Sequence, residues 1–256
     1  MPTDASPTDP VTHEALLRPA TEDDVAALAD LYLVVRRSAE PAMPPVAESA
    51  VEVRAHTARI VAEHEVWLAE SDEQVLAFAT LADDWLDSLY VHPAHQGAGL
   101  GSDLLDLVKA RRPDGFSLWV FETNRAARRF YARHGLVELE HTDGSGNAEH
   151  APDVRMAWPG TDPLGFLRRQ IDAVDDELAR LLARRTAITA AVQDHKASTL
   201  GDGGTAARDP AREAEIVARM ARLAPALGRE RLARVMQAVI AESLAAWESG
   251  EGPGLT

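Results

Sequence analysis

The chain has 256 residues, 46% of them hydrophobic, with no cysteine and a formal charge of −15. That size can bury one large or two smaller cores. The missing cysteines exclude disulfides, thiolate metal sites and a cysteine nucleophile, and the acidity disfavours nucleic acid as a partner. No run reaches the roughly 18 apolar residues of a membrane helix. The opening MPTDASPTDPVTHE lacks the basic start and apolar core of a secretion signal, so a cytoplasmic protein with a disordered segment over residues 1–13 is expected. Nine histidines show no paired ligand spacing, and no metal is expected.

In chain order, ALLRPATEDDVAALADLYLVV predicts a strand, a cap at Thr21 and a helix with acidic residues in its first turn. VEVRAHTARIVAEH predicts a second helix, and VWLAES, VLAFATLA and LDSLYVHP predict successive strands. Then come a glycine-rich turn, the helix SDLLDLVKARR, the strand FSLWVFE and the helix NRAARRFYARHG, which Gly135 ends. LVELEH and DVRMAWP complete a sheet. An α/β or α+β domain with a mixed sheet is therefore expected over residues 14–159. The proline and glycine of PGTDPLG mark a linker at 160–163.

Beyond the linker no strand signal remains. From Phe166 to about Lys196, Ile171, Val174, Leu178, Leu181, Leu182, Ile188 and Val192 recur at helical spacing. A helix on the order of 45 Å long cannot bury such a stripe alone, so it calls for helical partners from its own chain or a second one. STLGDGGTAA is expected to be a flexible loop. Asp209 caps a second helix with Pro210 at its first position, and ERLARVMQAVIAESLAAWE forms a third. An all-helical domain is expected over 164–248, with a flexible tail at 249–256. Residues 1–163 hold 13 basic against 28 acidic side chains, whereas residues 164–248 hold 13 against 12. The second region can therefore gather positive charge around a small anion.

In QGAGLGSD, Gly97, Gly99 and Gly101 let the backbone approach a ligand, and the amides of the following helix start can bind phosphate oxygens. No lysine follows as in a P-loop. Downstream, Asn124 and Tyr131 lie seven residues apart, on nearly the same helix face. LLRPATEDDVAAL, the Gln96-x-x-Gly99-x-Gly101 loop and NRAARRFYARHGL together resemble the GNAT acetyltransferase superfamily over Glu14 to Trp158. The resemblance implies acetyl-coenzyme A as co-substrate. Its pyrophosphate would lie on the backbone of Gln96, Gly97, Ala98, Gly99, Leu100, Gly101 and Ser102, and its pantetheine arm beside Leu89, Tyr90 and Val91. Asn124 would contact it as well. Tyr131 would be the acid that protonates the departing thiolate and Asp87 the base that deprotonates an amine acceptor. Each has a plainer reading: a helix cap for Asn124, a core ring for Tyr131 and a solvated strand residue for Asp87.

Arg185 and Lys196 share a helix face, while Arg168 points about 100° away in phase. By spacing these residues read as solvated charge, and DPAREAE as an N-cap with surface charge. LRRQIDAVDDELARLLARRTAI, Lys196, RDPAREAEI and IAES nonetheless resemble the all-helical chorismate mutases over Leu164 to Glu248. That resemblance implies a homodimer in which Arg168 enters the partner's pocket. Arg168, Arg185 and Arg212 would grip the two carboxylates of chorismate and Lys196 would donate to its ether oxygen. Glu213 and Ser243 would bind the hydroxyl and ring, with Asp209 supporting the pocket. Trp247 stands where the family has Gln or Glu as a second contact to the ether oxygen. The chain is thus expected to be an N-acetyltransferase joined to a chorismate mutase; alternatively, its helical domain is a non-catalytic dimerisation or ligand-sensing module. A third possibility is an acetyltransferase-like domain that binds a coenzyme A ester without transferring it.

Overall fold

The computed structural model describes residues 15–200 and 209–249. The expectations for residues 1–13 and for most of the glycine-rich loop and the tail lie outside the described residues. The chain divides into two compact units, Met1–Arg168 and Arg169–Thr256. No helix among the described residues is long and apolar enough to cross a membrane.

The first unit is a seven-stranded sheet ordered β1-β2-β3-β4-β5-β7-β6. Its strands are β1 (Leu16–Pro19), β2 (Glu65–Ser71), β3 (Gln74–Ala82), β4 (Trp85–Val91), β5 (Phe116–Phe121), β6 (Val137–His141) and β7 (Asp153–Trp158). All neighbours are antiparallel except β4 and β5. Alternation along each strand loads both faces. On one, α1 (Val25–Ser38) and α2 (Ala50–Glu63) bring Leu28, Leu31, Val35 and Ile60 against Val66, Leu68 and Phe78. On the other, α3 (Leu100–Arg111) and α4 (Arg125–Arg133) bring Leu104, Val108 and Tyr131 against Ala77, Leu118 and Met156.

Local chemistry sets the boundaries. Thr21 enters a capping box with Asp24 around the short 3-10 turn Glu22–Asp24 that leads into α1, and Ser49 forms another with Glu52 at α2. Arg18 ties β1 to this turn through Asp24 (2.8 Å) and to β2 through Glu70. The Asp24 carboxyl is held at about 2 by the Arg18 guanidinium, against its partial burial. Gly135, at φ +84°, closes α4.

The Pro-Gly segment expected as a linker is knitted to the first unit. The Thr161 amide donates to the Pro113 carbonyl (2.9 Å), and Gly160, at φ +73°, leaves a Cβ no room beside Pro113 and Asp114. Helix α5 (Pro163–Leu200) then carries the chain past Arg168 into the second unit. It also runs through Ser198, Thr199 and Leu200, which were expected in the loop; the helix-breaking glycines begin only at Gly201. In the second unit Asp209 accepts from the Arg212 amide (3.0 Å) and caps α6 (Pro210–Leu223). Against it lies α7 (Gly228–Glu248), burying Val217, Leu232 and Met236.

Candidate functional site

Gly97 and Gly99 adopt φ of +83° and +98°, a left-handed conformation in which a side chain is strained. Gly99 caps α3, and its carbonyl accepts from the Ser102 (2.8 Å) and Asp103 (3.0 Å) amides. Helix geometry leaves the Leu100 and Gly101 amides without an intrahelical acceptor. The turn is fastened at both ends. Gln96 Nε2 donates to the Val91 carbonyl at 3.3 Å, and the Ser102 hydroxyl meets His134 Nε2 at 3.0 Å. A row of backbone donors at a helix start is thereby held ready for an anion.

The second feature is a gap within the sheet itself. β4 pairs with β3 from Trp85 to Val91 except at Asp87, and β5 pairs with β7 from Phe116 to Phe121. Between β4 and β5 the ladder holds one pair, Trp85↔Ser117. There the Trp85 and Trp119 rings stack with centroids 6.2 Å apart. Beyond that point the facing edges of the two strands lack ladder partners, and such groups seek a polar ligand. A cavity of about 1680 Å³ opens here, reaching Leu89, Tyr90 and Val91, the glycine turn, Asn124, Tyr131 and Asp87. Leu89 and Val91 pack toward α3, whereas Tyr90 belongs to the α1 face. Ala98 and Leu100 stand outside the lining, and Leu100 is a core residue.

Asp87 occupies a register shift: Thr80 pairs with Ser88 and Leu81 with Leu86, so Asp87 faces no residue of β3. Bulges of this kind re-aim a side chain, and Asp87 is turned to solvent at the cavity edge. Tyr131 is both core residue and cavity wall; its hydroxyl bonds to no described residue. Burial pushes this phenol well above the ordinary tyrosine range, so it stays protonated and can donate. Asn124 caps α4 by accepting from the Ala127 amide at 3.1 Å, leaving its Nδ2 for a ligand. The cap reading of Asn124 therefore holds without engaging its Nδ2.

Sequence reasoning missed the side of the cavity under α1. Arg36 is 5% exposed, between the rings of Tyr32 and Phe121 at 5.7 and 5.8 Å. Burial works against its charge, but Tyr90, Tyr32 and Glu149 hold it above the usual arginine value. Burial, reinforced by Tyr32, pushes Tyr90 up to about 12. Arg36 sits on a helix among apolar residues, and no local pattern distinguishes it from a surface arginine.

In the second unit, Arg185 Nη1 donates to Ser243 Oγ at 2.8 Å, joining α5 to α7. Ser243 is buried, and its hydroxyl donates to the Val239 carbonyl. Trp247 donates its indole N–H to Asp194 (2.8 Å), so that N–H is committed within the chain. Lys196 and Glu213 are half-buried. Arg212 is exposed and pairs with Glu215 (3.1 Å), and Arg168 is exposed. A residue that sequence reasoning missed is Gln193: it is buried one turn before Lys196, and its Oε1 has no partner among the described residues.

A sheet opened between two parallel strands above a glycine turn defines the class of the first unit, and comparison with known proteins agrees. Residues 62–138 match the family model of the acetyltransferase (GNAT) domain, and residues 167–247 that of chorismate mutase type II. The chain thus carries a GNAT acetyltransferase fold followed by a chorismate mutase type II domain. A GCN5-related N-acetyltransferase structure from Rhodopseudomonas palustris is 24% identical with a TM-score of 0.50, covering 58% of this chain and 98% of its own. YjaB from Escherichia coli, in its apo form, is 20% identical at TM-score 0.48, covering 57% and 99%. The yncA structure from Salmonella typhimurium, with its cofactor acetyl-CoA, is 23% identical at TM-score 0.46, covering 56% and 92%. No curated protein matches the chain.

Proposed function

We propose that the chain is a bifunctional enzyme, an acetyl-coenzyme A-dependent N-acetyltransferase and a chorismate mutase, that works as a homodimer through its helical domain. The observation that carries the first activity is the opening between β4 and β5 directly beside a turn of free amides. The Gly97–Ser102 backbone holds the pyrophosphate, the unpaired edge of β4 orients the amide-bearing arm, and Asn124 adds a donor. Asp87 takes a proton from the acceptor ammonium. The amine nitrogen bonds to the acetyl carbon as the C–S bond breaks, Tyr131 gives its proton to the departing sulfur, and the second N–H proton that the nitrogen sheds on becoming an amide restores the phenol. Apolar walls around Leu118 and Phe130 exclude water. The acetyl acceptor belongs to the amine class.

For the second activity, chorismate is a dianion that rearranges to prephenate without nucleophile or proton transfer, so fixed cations suffice. Arg185, pre-positioned by Ser243, grips one carboxylate bidentately. Arg212 and the partner chain's copy of Arg168 complete the grip on assembly, and Lys196 donates to the ether oxygen. Glu213 binds the hydroxyl. Trp247 supports the pocket wall and offers no donor to the ether oxygen, because Asp194 already accepts its N–H. Slow turnover is the expected consequence.

Calorimetric titration with acetyl-coenzyme A tests the first activity, and Tyr131→Phe is expected to lower kcat about 10²-fold with the dissociation constant unchanged. Loss of chorismate absorbance tests the second. Chorismate binding without turnover would make the helical domain a sensing or pairing module.

A further inference from the structure

We propose that the acetyl acceptor is an amine bearing a carboxylate, of the α-amino-acid type, with Arg36 as the group that holds the carboxylate. This rests on the acetyl-transfer reading above and names its acceptor.

The observations lie on the α1 side of the cavity. Arg36 is almost fully buried yet lines the cavity, and burying a guanidinium is costly unless it is well paired. Its pairing within the chain is incomplete. Nη2 donates to the Pro44 carbonyl at 3.1 Å and to one oxygen of Glu149 at 3.3 Å, and the Tyr90 hydroxyl is a further hydrogen-bond partner of the guanidinium, while Nε has no partner among the described residues. A guanidinium has five donors in a fixed fork that suits a carboxylate. On the same side of the sheet, Thr80 Oγ1 is fully buried, lines the cavity and has no partner among the described residues.

The remaining walls fix the rest of the molecule. Tyr32, Phe78, Tyr90 and Phe121 offer ring surfaces, with Tyr32 and Tyr90 edge-to-face at 5.4 Å. They suit an apolar or aromatic side chain. Asp87 and Glu48 supply carboxylates for an ammonium, whereas Glu149 already faces Arg36. Glu149 is presented by a loop that Asp153 braces through Thr142 and Asn147. One buried cation with an unpartnered donor, two acids and apolar rings together match a zwitterion. A polyamine would meet the Arg36 charge with a like charge, and the amine of a peptide N-terminus has no adjacent carboxylate. In the transfer, the C–N bond forms as the C–S bond breaks. One ammonium proton leaves through Asp87, the thiolate is protonated by Tyr131, and the second nitrogen proton restores the Tyr131 phenol, giving an N-acetyl amino acid and free coenzyme A.

The test uses the full chain with acetyl-coenzyme A and follows thiol release. L-Phenylalanine, L-leucine and L-methionine are compared with their methyl esters, the matching decarboxylated amines and spermidine. Free amino acids are expected to lead by about 10²-fold in kcat/KM, and Arg36→Met is expected to erase that lead through KM. Arg36→Lys, which keeps the charge without the fork, falls between. Acetyl-coenzyme A titration of each variant establishes that it is folded. Equal or faster turnover of esters, simple amines or spermidine overturns the proposal. No thiol release above the amine-free background with any of these amines overturns the acetyl-transfer reading. In that case, calorimetry of L-phenylalanine with the coenzyme A-saturated protein decides whether Arg36 binds amino acids: binding that Arg36→Met abolishes keeps the carboxylate site, and no binding removes it.

Discussion

The two units solve burial differently. In the first, Leu104, Phe116 and Met156 are fully buried by their own sheet and helices. In the second, α5 leaves Ile171, Val174, Leu178, Leu181, Ile188 and Val192 between 45% and 61% exposed, while α6 and α7 close a small cluster of their own. Apolar side chains repeated along one helix face and left in water are a strong drive to associate. The first unit buries its core within a single chain, whereas the second keeps an apolar stripe that the proposed homodimer would cover.

The sharpest test of the contrast is chemical. Arg185→Ala is expected to lower chorismate turnover by about 10³-fold, measured by chorismate absorbance, while acetyl-coenzyme A binding stays as it was. Loss of both would mean that the units do not work separately. Next, Leu104→Ala and Leu181→Asp should fail in opposite ways. The first is expected to cost about 3 kcal/mol in denaturant unfolding with the oligomeric state unchanged. The second is expected to convert dimer to monomer in sedimentation while the first unit's melting is preserved.

A smaller effect is expected from acid. Asp24, ordinarily near 3.8, is held at about 2 in the folded chain by Arg18. A carboxylate with a depressed folded value adds stability that is present above the unfolded value and lost as pH falls through the folded one. About 2 kcal/mol of the first unit's stability should therefore disappear between about pH 4 and pH 2, and Asp24→Asn should flatten that limb. The smallest effect is expected at Gly99, where alanine at φ +98° adds about 1–2 kcal/mol of strain and weakens acetyl-coenzyme A binding several-fold in calorimetry.

Much of this was legible along the chain. Alternation marked all seven strands, Asn124 and Asp209 announced the helices they cap, and the spacing of Ile171 to Val192 announced an amphipathic helix without a partner. The glycine turn announced a tight connection from strand to helix. Three features were not legible. The parting of β4 from β5 is a failure of pairing between strands whose own patterns are ordinary. Asp87 stands on a bulge visible only once β3 is laid beside β4. Arg36 is hidden because burial is imposed by Tyr32, Phe121 and Glu149, the last more than a hundred residues away.

The sequence by itself determined the elements, their caps, the glycine turn and the change in charge between the two regions, because periodicity and local hydrogen bonding act over a few residues. The tertiary structure alone decided that the sheet opens beside the turn, that one arginine is buried with donors to spare, and that Trp247 is already engaged by Asp194. Those outcomes depend on which distant residues meet, and the cost of burying a charge or leaving a backbone group unpaired is set only when they do.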